Sequence, residues 1–121
     1  MFSFEQLTVY QETRKLIKYI YFITDKLPSK EDFGLKSQIK RAAISIASNI
    51  AEGSGKNSIK EKIHFISIAY GSLMEVYCQL QIAYDLNYIS LELFNDIAKD
   101  IHDIAKMLSG LKNHSNKNSN L

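Results

Sequence analysis

The sequence lacks the features that mark several common classes of protein. Cysteine occurs once, at Cys78, which excludes an internal disulfide framework and fits a reducing compartment. No apolar run approaches the roughly 18 residues of a membrane-spanning helix, and the first residues lack the basic-then-apolar order of a secretion signal. We therefore expect a soluble, cytoplasmic protein in which Cys78 is a small packed thiol.

Proline is equally scarce, and no segment shows the alternating pattern of a β-strand. The only proline, Pro28, moves the residue before it out of helical geometry and so ends the first helical segment. Apolar periodicity predicts four helices, at about residues 5–27, 35–52, 58–86 and 90–111. Because the links are short, the predicted fold is all-α, an antiparallel up-down-up-down four-helix bundle over residues 1–111. Residues 112–121 have no apolar periodicity and are predicted to form a disordered polar tail.

The third predicted helix carries the strongest pattern in the chain. Its main apolar stripe advances by alternating steps of four and three residues, over Ile59, Ile63, Ile66, Tyr70, Leu73, Tyr77, Leu80 and Tyr84. A second stripe comprises Phe65, Ile68, Ser72, Val76, Gln79, Ile82 and Leu86. A helix that is apolar on two sides must be covered on two sides. Because Ile44 also projects among polar residues of the second helix, we predict that identical chains associate.

The link between the second and third helices has clear boundary signals. Gly53 is predicted to end the second helix as a left-handed cap. Ser58 and Glu61 have the spacing of a capping box, in which each side chain accepts a hydrogen bond from the other residue's backbone N–H. A link as short as this one favours antiparallel pairing of the two helices.

Charge is distributed unevenly, although the formal net charge is only +2. Residues 36–62 carry six cations and two acids, a balance of +4, whereas residues 90–111 carry two lysines and four acids, a balance of −2. The six cations are Lys36, Lys40, Arg41, Lys56, Lys60 and Lys62. They are either solvated surface groups or a nucleic-acid-binding surface, which would contact the phosphate backbone more than the bases. Repeated around a ring of subunits, this charge would form a continuous positive field.

No motif in the sequence points to an enzymatic reaction. Glu61-x-x-His64 has the spacing of a di-iron ligand pair, but the second pair that such a site needs is missing. The glycines and lysine of Gly53-Ser-Gly55-Lys56 lack the spacing of a phosphate loop and follow a predicted helix instead of a strand. We predict a non-enzymatic protein with no metal, no cofactor and no small-molecule substrate.

Glu75 is the one carboxylate that lies on an apolar stripe, where its helical neighbours are Ser72 and Gln79. A carboxylate in such surroundings must be paired or hydrogen-bonded. The sequence therefore predicts a structural salt bridge from Glu75 to Arg41 or to a lysine, and catalysis is the less favoured alternative.

Four short motifs go beyond what helical periodicity requires. They are Phe33-Gly34-Leu35, Gln38-Ile39-x-Arg41-Ala42, Ser48-Asn49-Ile50-Ala51-Glu52-Gly53 and Gly71-Ser72-Leu73-x-Glu75. With these motifs the chain resembles the small four-helix-bundle proteins encoded in intervening sequences of bacterial 23S ribosomal RNA genes. The likeness covers most of the chain, and Ala47 stands where that family usually has proline.

The resemblance implies a left-handed antiparallel bundle that assembles into a homopentameric ring and has no established enzyme activity. It also implies a relative, the accessory protein of diversity-generating retroelements, which binds reverse transcriptase and nucleic acid through a basic surface. The function expected here is an RNA-binding or scaffold module, and the alternative is a protein–protein interaction module without direct nucleic-acid binding. Positions that match the basic surface are Lys36, Lys40, Arg41, Lys56 and Lys60. Positions expected to hold the bundle or its interface together are Ile44, Asn49, Glu52, Phe65, Ser72 and Glu75.

Overall fold

The computed structural model of the chain describes residues 1–119 and contains four α-helices. The helices are α1 (Thr8–Thr24), α2 (Leu35–Ser54), α3 (Ile59–Asp85) and α4 (Leu91–Ser119). Two short 3₁₀ turns, Ser3–Gln6 and Ser29–Glu31, lie before α1 and before α2. No strand occurs within residues 1–119, and the predicted all-helical class is confirmed.

The core lies between the four helices, each of which contributes one apolar stripe. α2 packs against α1 and α3, and α4 packs against the same two helices from the other side. The large side chains that are fully buried include Leu16, Ile20, Ile23, Ile39, Ile46, Leu73, Leu80, Ile97, Ile101, Ile104 and Leu108. Burial of these stripes is the main favourable term for folding, and the arrangement is consistent with a four-helix bundle.

The starts of α3 and α4 follow the side-chain signals in the sequence. The Ser58 hydroxyl accepts a hydrogen bond from the Glu61 N–H at 3.3 Å, which is one of the two bonds of the predicted capping box. The Ser90 hydroxyl accepts from the Leu93 N–H at 3.1 Å. Each bond satisfies one backbone donor that a helix start leaves without an intrahelical partner.

The buried side of α3 lies between the two stripes that the sequence predicts. Its buried residues are Ile66, Ala69, Ser72, Leu73, Val76, Gln79, Leu80 and Ala83. Tyr70 and Tyr84, predicted for the main stripe, are instead 37% exposed. Ala69 and Ala83 allow the neighbouring helices to approach closely, and the bulkier tyrosines lie at the edges of the contact. Cys78 is also exposed, so the expectation of a packed thiol is wrong.

Gly53 does not act as a left-handed cap, because α2 continues through it to Ser54 and no glycine in the described residues has a positive φ. Its role is to allow close packing of α2 on α3. A Cβ atom built on Gly53 would lie only 2.8 Å from the Cβ of Phe65. The missing side chain therefore lets the end of α2 lie directly against the Phe65 side chain.

The sequence also predicts a disordered tail at residues 112–121, whereas the structure continues α4 as a helix through Ser119. No proline or glycine interrupts this segment, so the backbone hydrogen bonds can propagate beyond Leu111. Ser115 is half-buried one turn beyond Leu111, and both line a small cavity beside Phe4 and Leu7. Apolar periodicity stops at Leu111, so it does not predict that the helix continues through polar residues. Residues 120–121 lie outside the described part of the chain.

Candidate nucleic-acid and assembly surfaces

The six cations of the candidate nucleic-acid-binding surface lie near opposite ends of α2. Lys36, Lys40 and Arg41 lie in its first two turns. The other three, Lys56, Lys60 and Lys62, lie in the link after α2 and in the first turn of α3. Because a helix rises by 1.5 Å per residue, about 20 Å of α2, from Arg41 to Ser54, separates the two groups. They are therefore two separate patches on one subunit.

In the patch at the start of α2, all three cations have partners. The Lys36 ammonium lies 2.8 Å from an Asp32 carboxylate oxygen. The Lys40 Nζ lies 4.8 Å from the centre of the Tyr21 ring, and the Arg41 guanidinium lies 3.5 Å from the Glu75 carboxylate. The last contact confirms the predicted salt bridge of Glu75.

In the patch at the other end, the three lysines differ in availability. The Lys62 ammonium donates to the Ser54 carbonyl at 3.2 Å, so it stabilises the negative end of α2. The Lys56 Nζ lies 5.2 Å from the centre of the Phe65 ring. Lys60 is exposed. Lys60 is thus the most accessible cation of this group, and Lys62 is the most firmly engaged within its own chain.

A polar seam runs along the contact between α2 and α3. We define it by Arg41, Ser45 and Asn49 on α2 and Ser72, Glu75 and Gln79 on α3. The two serine hydroxyls are 2.9 Å apart. The Asn49 side-chain amide donates to the Ser45 carbonyl at 2.8 Å and to its hydroxyl at 3.0 Å. The Gln79 amide donates to Glu75 at 3.2 Å, so the seam connects through hydrogen bonds within each helix and across the pair.

Apolar side chains border this seam on the solvent side. Ile44 is 45% exposed and Ile82 is 43% exposed, and Ile68 is similarly accessible. Phe65 is half-buried against Gly53, and Glu52 is exposed. The seam therefore has exposed apolar side chains beside it on both α2 and α3, which the sequence predicts from Ile44 and from the second stripe.

Gln79 contains the one buried side-chain polar atom without a hydrogen-bond partner within the described residues, its Oε1. Exchange of the amide N and O would place two acceptors together, since Nε2 donates to Glu75. We expect Gln79→Met to raise the free energy of unfolding by about 1 kcal/mol, because an unsatisfied buried acceptor costs about 1–3 kcal/mol and the lost bond is worth about 0.5–1.5 kcal/mol. Urea unfolding of both proteins measures this difference.

The matched control is Gln81→Met on the exposed side of the same helix, which should change the stability by less than about 0.5 kcal/mol. A Gln79→Met protein that is less stable than the original would show that the hydrogen bond to Glu75 outweighs the unsatisfied oxygen.

The acidic part of the fold lies where α4 packs on α1. The Tyr19 hydroxyl donates to the Asp96 carboxylate at 2.6 Å. Burial, together with this bond, raises the pKa of Tyr19 to about 12. Partial burial and the neighbouring carboxylates of Asp96, Asp103 and Glu12 raise the pKa of Asp100. This side of the molecule would therefore repel phosphate.

Asp100→Asn should stabilise the protein at neutral pH by roughly 0.3–0.5 kcal/mol, the usual cost of like charges one helical turn apart. The folded-state pKa of Asp100 is raised, so the folded state binds this proton more tightly than the unfolded state does. Stability therefore falls as the pH rises from the ordinary aspartate pKa through the raised value, and the advantage of Asn disappears in acid. Thermal unfolding across the pH range tests this, with Glu92→Gln as a control of opposite sign, since Glu92 favours the start of α4.

Residues 1–119 contain neither a candidate metal-binding cluster nor a candidate membrane-spanning helix. No group of three or more His, Cys, Asp or Glu side chains could hold a metal ion there. The His64 ring instead packs edge-on against Phe65, with the ring centres 5.5 Å apart. None of the helices in this part of the chain is long and apolar enough to cross a membrane.

The fold and these surfaces define an all-helical protein with four helices, whose charged and polar groups form surface patches. Comparison with known families identifies it further. The chain belongs to the family of 23S rRNA-intervening sequence proteins, which matches residues 5–110. This confirms the resemblance seen in the four sequence motifs. None of the curated proteins matches the sequence.

A solved structure with the same fold is that of a protein of unknown function from the S23 ribosomal protein family of Bacteroides thetaiotaomicron. It superposes with a TM-score of 0.80 at 24% sequence identity, over 87% of this chain and 95% of the other. At this identity the likeness supports the fold. α2 is continuous past Ala47, so the absence of the usual proline there is compatible with an uninterrupted helix.

Proposed function

We propose that this chain is a non-enzymatic, oligomeric scaffold that binds RNA through its basic surface. The observation that carries the proposal is the position of Lys40 over Tyr21, between the basic start of α2 and exposed cations on α1 such as Lys18. Positive charge thus extends across two adjacent helices, whereas the carboxylates of Asp96 and Asp100 lie where α4 packs on α1. Such a distribution favours the phosphate backbone.

We further propose that the bundle is antiparallel, up-down-up-down and left-handed, and that it closes into a homopentamer. The exposed side chains of Ile44, Ile68 and Ile82 support association. They are apolar and lie beside the polar seam, so the free energy falls when a second copy covers them. A ring would also bring several basic patches together, which strengthens their attraction for phosphate.

A titration of labelled structured RNA at about 50 mM and about 200 mM salt tests RNA binding. Affinity should fall steeply between the two conditions, because phosphate neutralisation releases counterions. Lys40→Gln and Lys60→Gln should each weaken binding and lower the salt dependence, whereas Lys106→Gln on the acidic side should not. Binding that is absent at low salt, or indifferent to salt, would contradict the proposal.

Native mass spectrometry at micromolar concentration tests the assembly. The original chain should appear as a pentamer, and Ile44→Asp should dissociate it because a carboxylate would be buried in the interface. Leu91→Asp, at an exposed leucine on another side of the molecule, is the control and should leave the oligomer intact. A spectrum that contains only monomer for the original chain would defeat the proposal.

The second candidate is a protein–protein interaction module without direct nucleic-acid binding. The apolar border of the seam favours it, since a foreign protein could cover the same side chains. A partner whose capture is insensitive to salt and is lost in Ile44→Asp would support this candidate over RNA binding.

A further inference from the structure

The outward side of α1 carries further cations, which adjoin the basic patch at the start of α2 through the contact of Lys40 with Tyr21. We call it the α1 face. Its exposed residues from Gln11 to the turn after α1 are Gln11, Arg14, Lys15, Lys18, Tyr21, Phe22, Asp25 and Lys26. These include four cations and one acid. Helical spacing alone aligns them, because every one lies away from the stripe that packs into the core.

Two aromatic rings lie among these cations. Tyr21 is 40% exposed and Phe22 is 58% exposed. The Lys26 Nζ lies 5.1 Å from the centre of the Phe22 ring, and the Lys40 Nζ approaches the Tyr21 ring from α2. Exposed rings that alternate with cations are the combination with which proteins hold single-stranded nucleic acid, since the rings stack on bases and the cations follow the backbone.

The structure also provides space beside the Phe22 ring. An open groove of about 1020 Å³ lies between the end of α1 and the start of α4, and Phe22, Lys26, Leu91 and Lys99 line part of it. Glu92 and Asp96 line it as well. These carboxylates repel phosphate but not an uncharged base. The groove therefore suits a base, and the phosphates would remain on the cations of α1.

We propose that the α1 face binds single-stranded nucleic acid, with Phe22 and Tyr21 stacking on bases and Arg14, Lys18 and Lys26 contacting phosphates. The inference rests on the nucleic-acid binding proposed above and specifies its substrate class. A duplex keeps its bases stacked on one another, so these rings can engage only an unpaired strand. RNA and single-stranded DNA share this chemistry.

The chain contains no tryptophan, which allows a direct test of stacking. Phe22→Trp introduces a single indole, whose fluorescence should be quenched when a short single-stranded oligoadenylate is added. A duplex of the same length should leave it unquenched. Tyr70→Trp, at an exposed aromatic position on α3, is the matched control and should respond to neither. Parallel titrations with an oligodeoxyadenylate show whether the 2′-hydroxyl contributes.

Affinity measurements complete the test. Phe22→Leu and Tyr21→Leu should each weaken single-strand binding about tenfold and leave duplex binding unchanged, whereas Phe22→Tyr should bind as the original does. If the single strand and the duplex bind with equal affinity and the fluorescence of Phe22→Trp is not quenched, the stacking inference is overturned and the proposed RNA binding remains in place. If neither the single strand nor the duplex binds, both the stacking inference and the proposed RNA binding are overturned. Loss of the oligomer in Phe22→Leu would assign the rings to an interface and also overturn it.

Discussion

Gly53→Ala should lower the free energy of unfolding by about 1–3 kcal/mol, the usual cost of adding a methyl group to a closely packed contact. The new Cβ would lie 2.8 Å from the Cβ of Phe65, an atom that cannot move without its backbone. The end of α2 must therefore shift away from α3. Chemical unfolding measures the loss, and a midpoint temperature lower by several degrees should accompany it.

Gly71→Ala is the matched control, because Gly71 also lies within a helix but, apart from its chain neighbours and the backbone of its own helix, no atom of the described residues lies within 4 Å of its missing Cβ. Here alanine should stabilise the protein by about 0.5–1 kcal/mol, since it reduces the backbone entropy lost on folding. Two glycine substitutions with opposite signs would establish that packing, and not helix propensity, decides the effect at Gly53. Equal stabilisation by both would refute the close contact.

Ala69→Leu should also destabilise the chain by about 1–3 kcal/mol, because Ala69 is fully buried where α3 packs on its neighbours. Tyr70→Leu, one residue along, should change the stability by less than about 0.5 kcal/mol since Tyr70 lies at the edge of the contact. The sequence pattern predicts the reverse order, with Tyr70 in the core. Urea unfolding of the two variants decides between the two assignments.

Ala69 is buried although the predicted stripe places Tyr70 in the core, and this difference shows what apolar periodicity can and cannot reveal. The four helices follow from periodicity, from Pro28 and from the serines at the helix starts, all of which are local signals. Local signals do not determine which side of α3 is buried, because that depends on how closely α2 and α4 can approach. Ala69 and Ala83 permit that approach, and a count of large apolar residues gives them no weight.

The candidate surfaces show the same division between local and tertiary information. The Arg41–Glu75 pair agrees with the sequence prediction, but the Glu75 side chain is 42% exposed, so the contact is a surface ion pair and not the compensation of a buried charge. The separation of Lys40 from Lys60 also follows from local signals, because Lys40 lies near the start of the predicted second helix and Lys60 lies beyond its end. The α1 face is not evident from the sequence, because its cations lie outside the segment with the largest charge excess and only the fold brings Tyr21 against Lys40.

The exposed thiol of Cys78 gives this protein a single natural attachment point for a fluorophore or a spin label. It lies one helical turn from Ile82, on the outward side of α3. A probe there would tumble freely on a lone subunit and slow down when a neighbour covers that side. The same accessibility means that oxidising buffers can couple two chains covalently, so reductant should be present when subunits are counted.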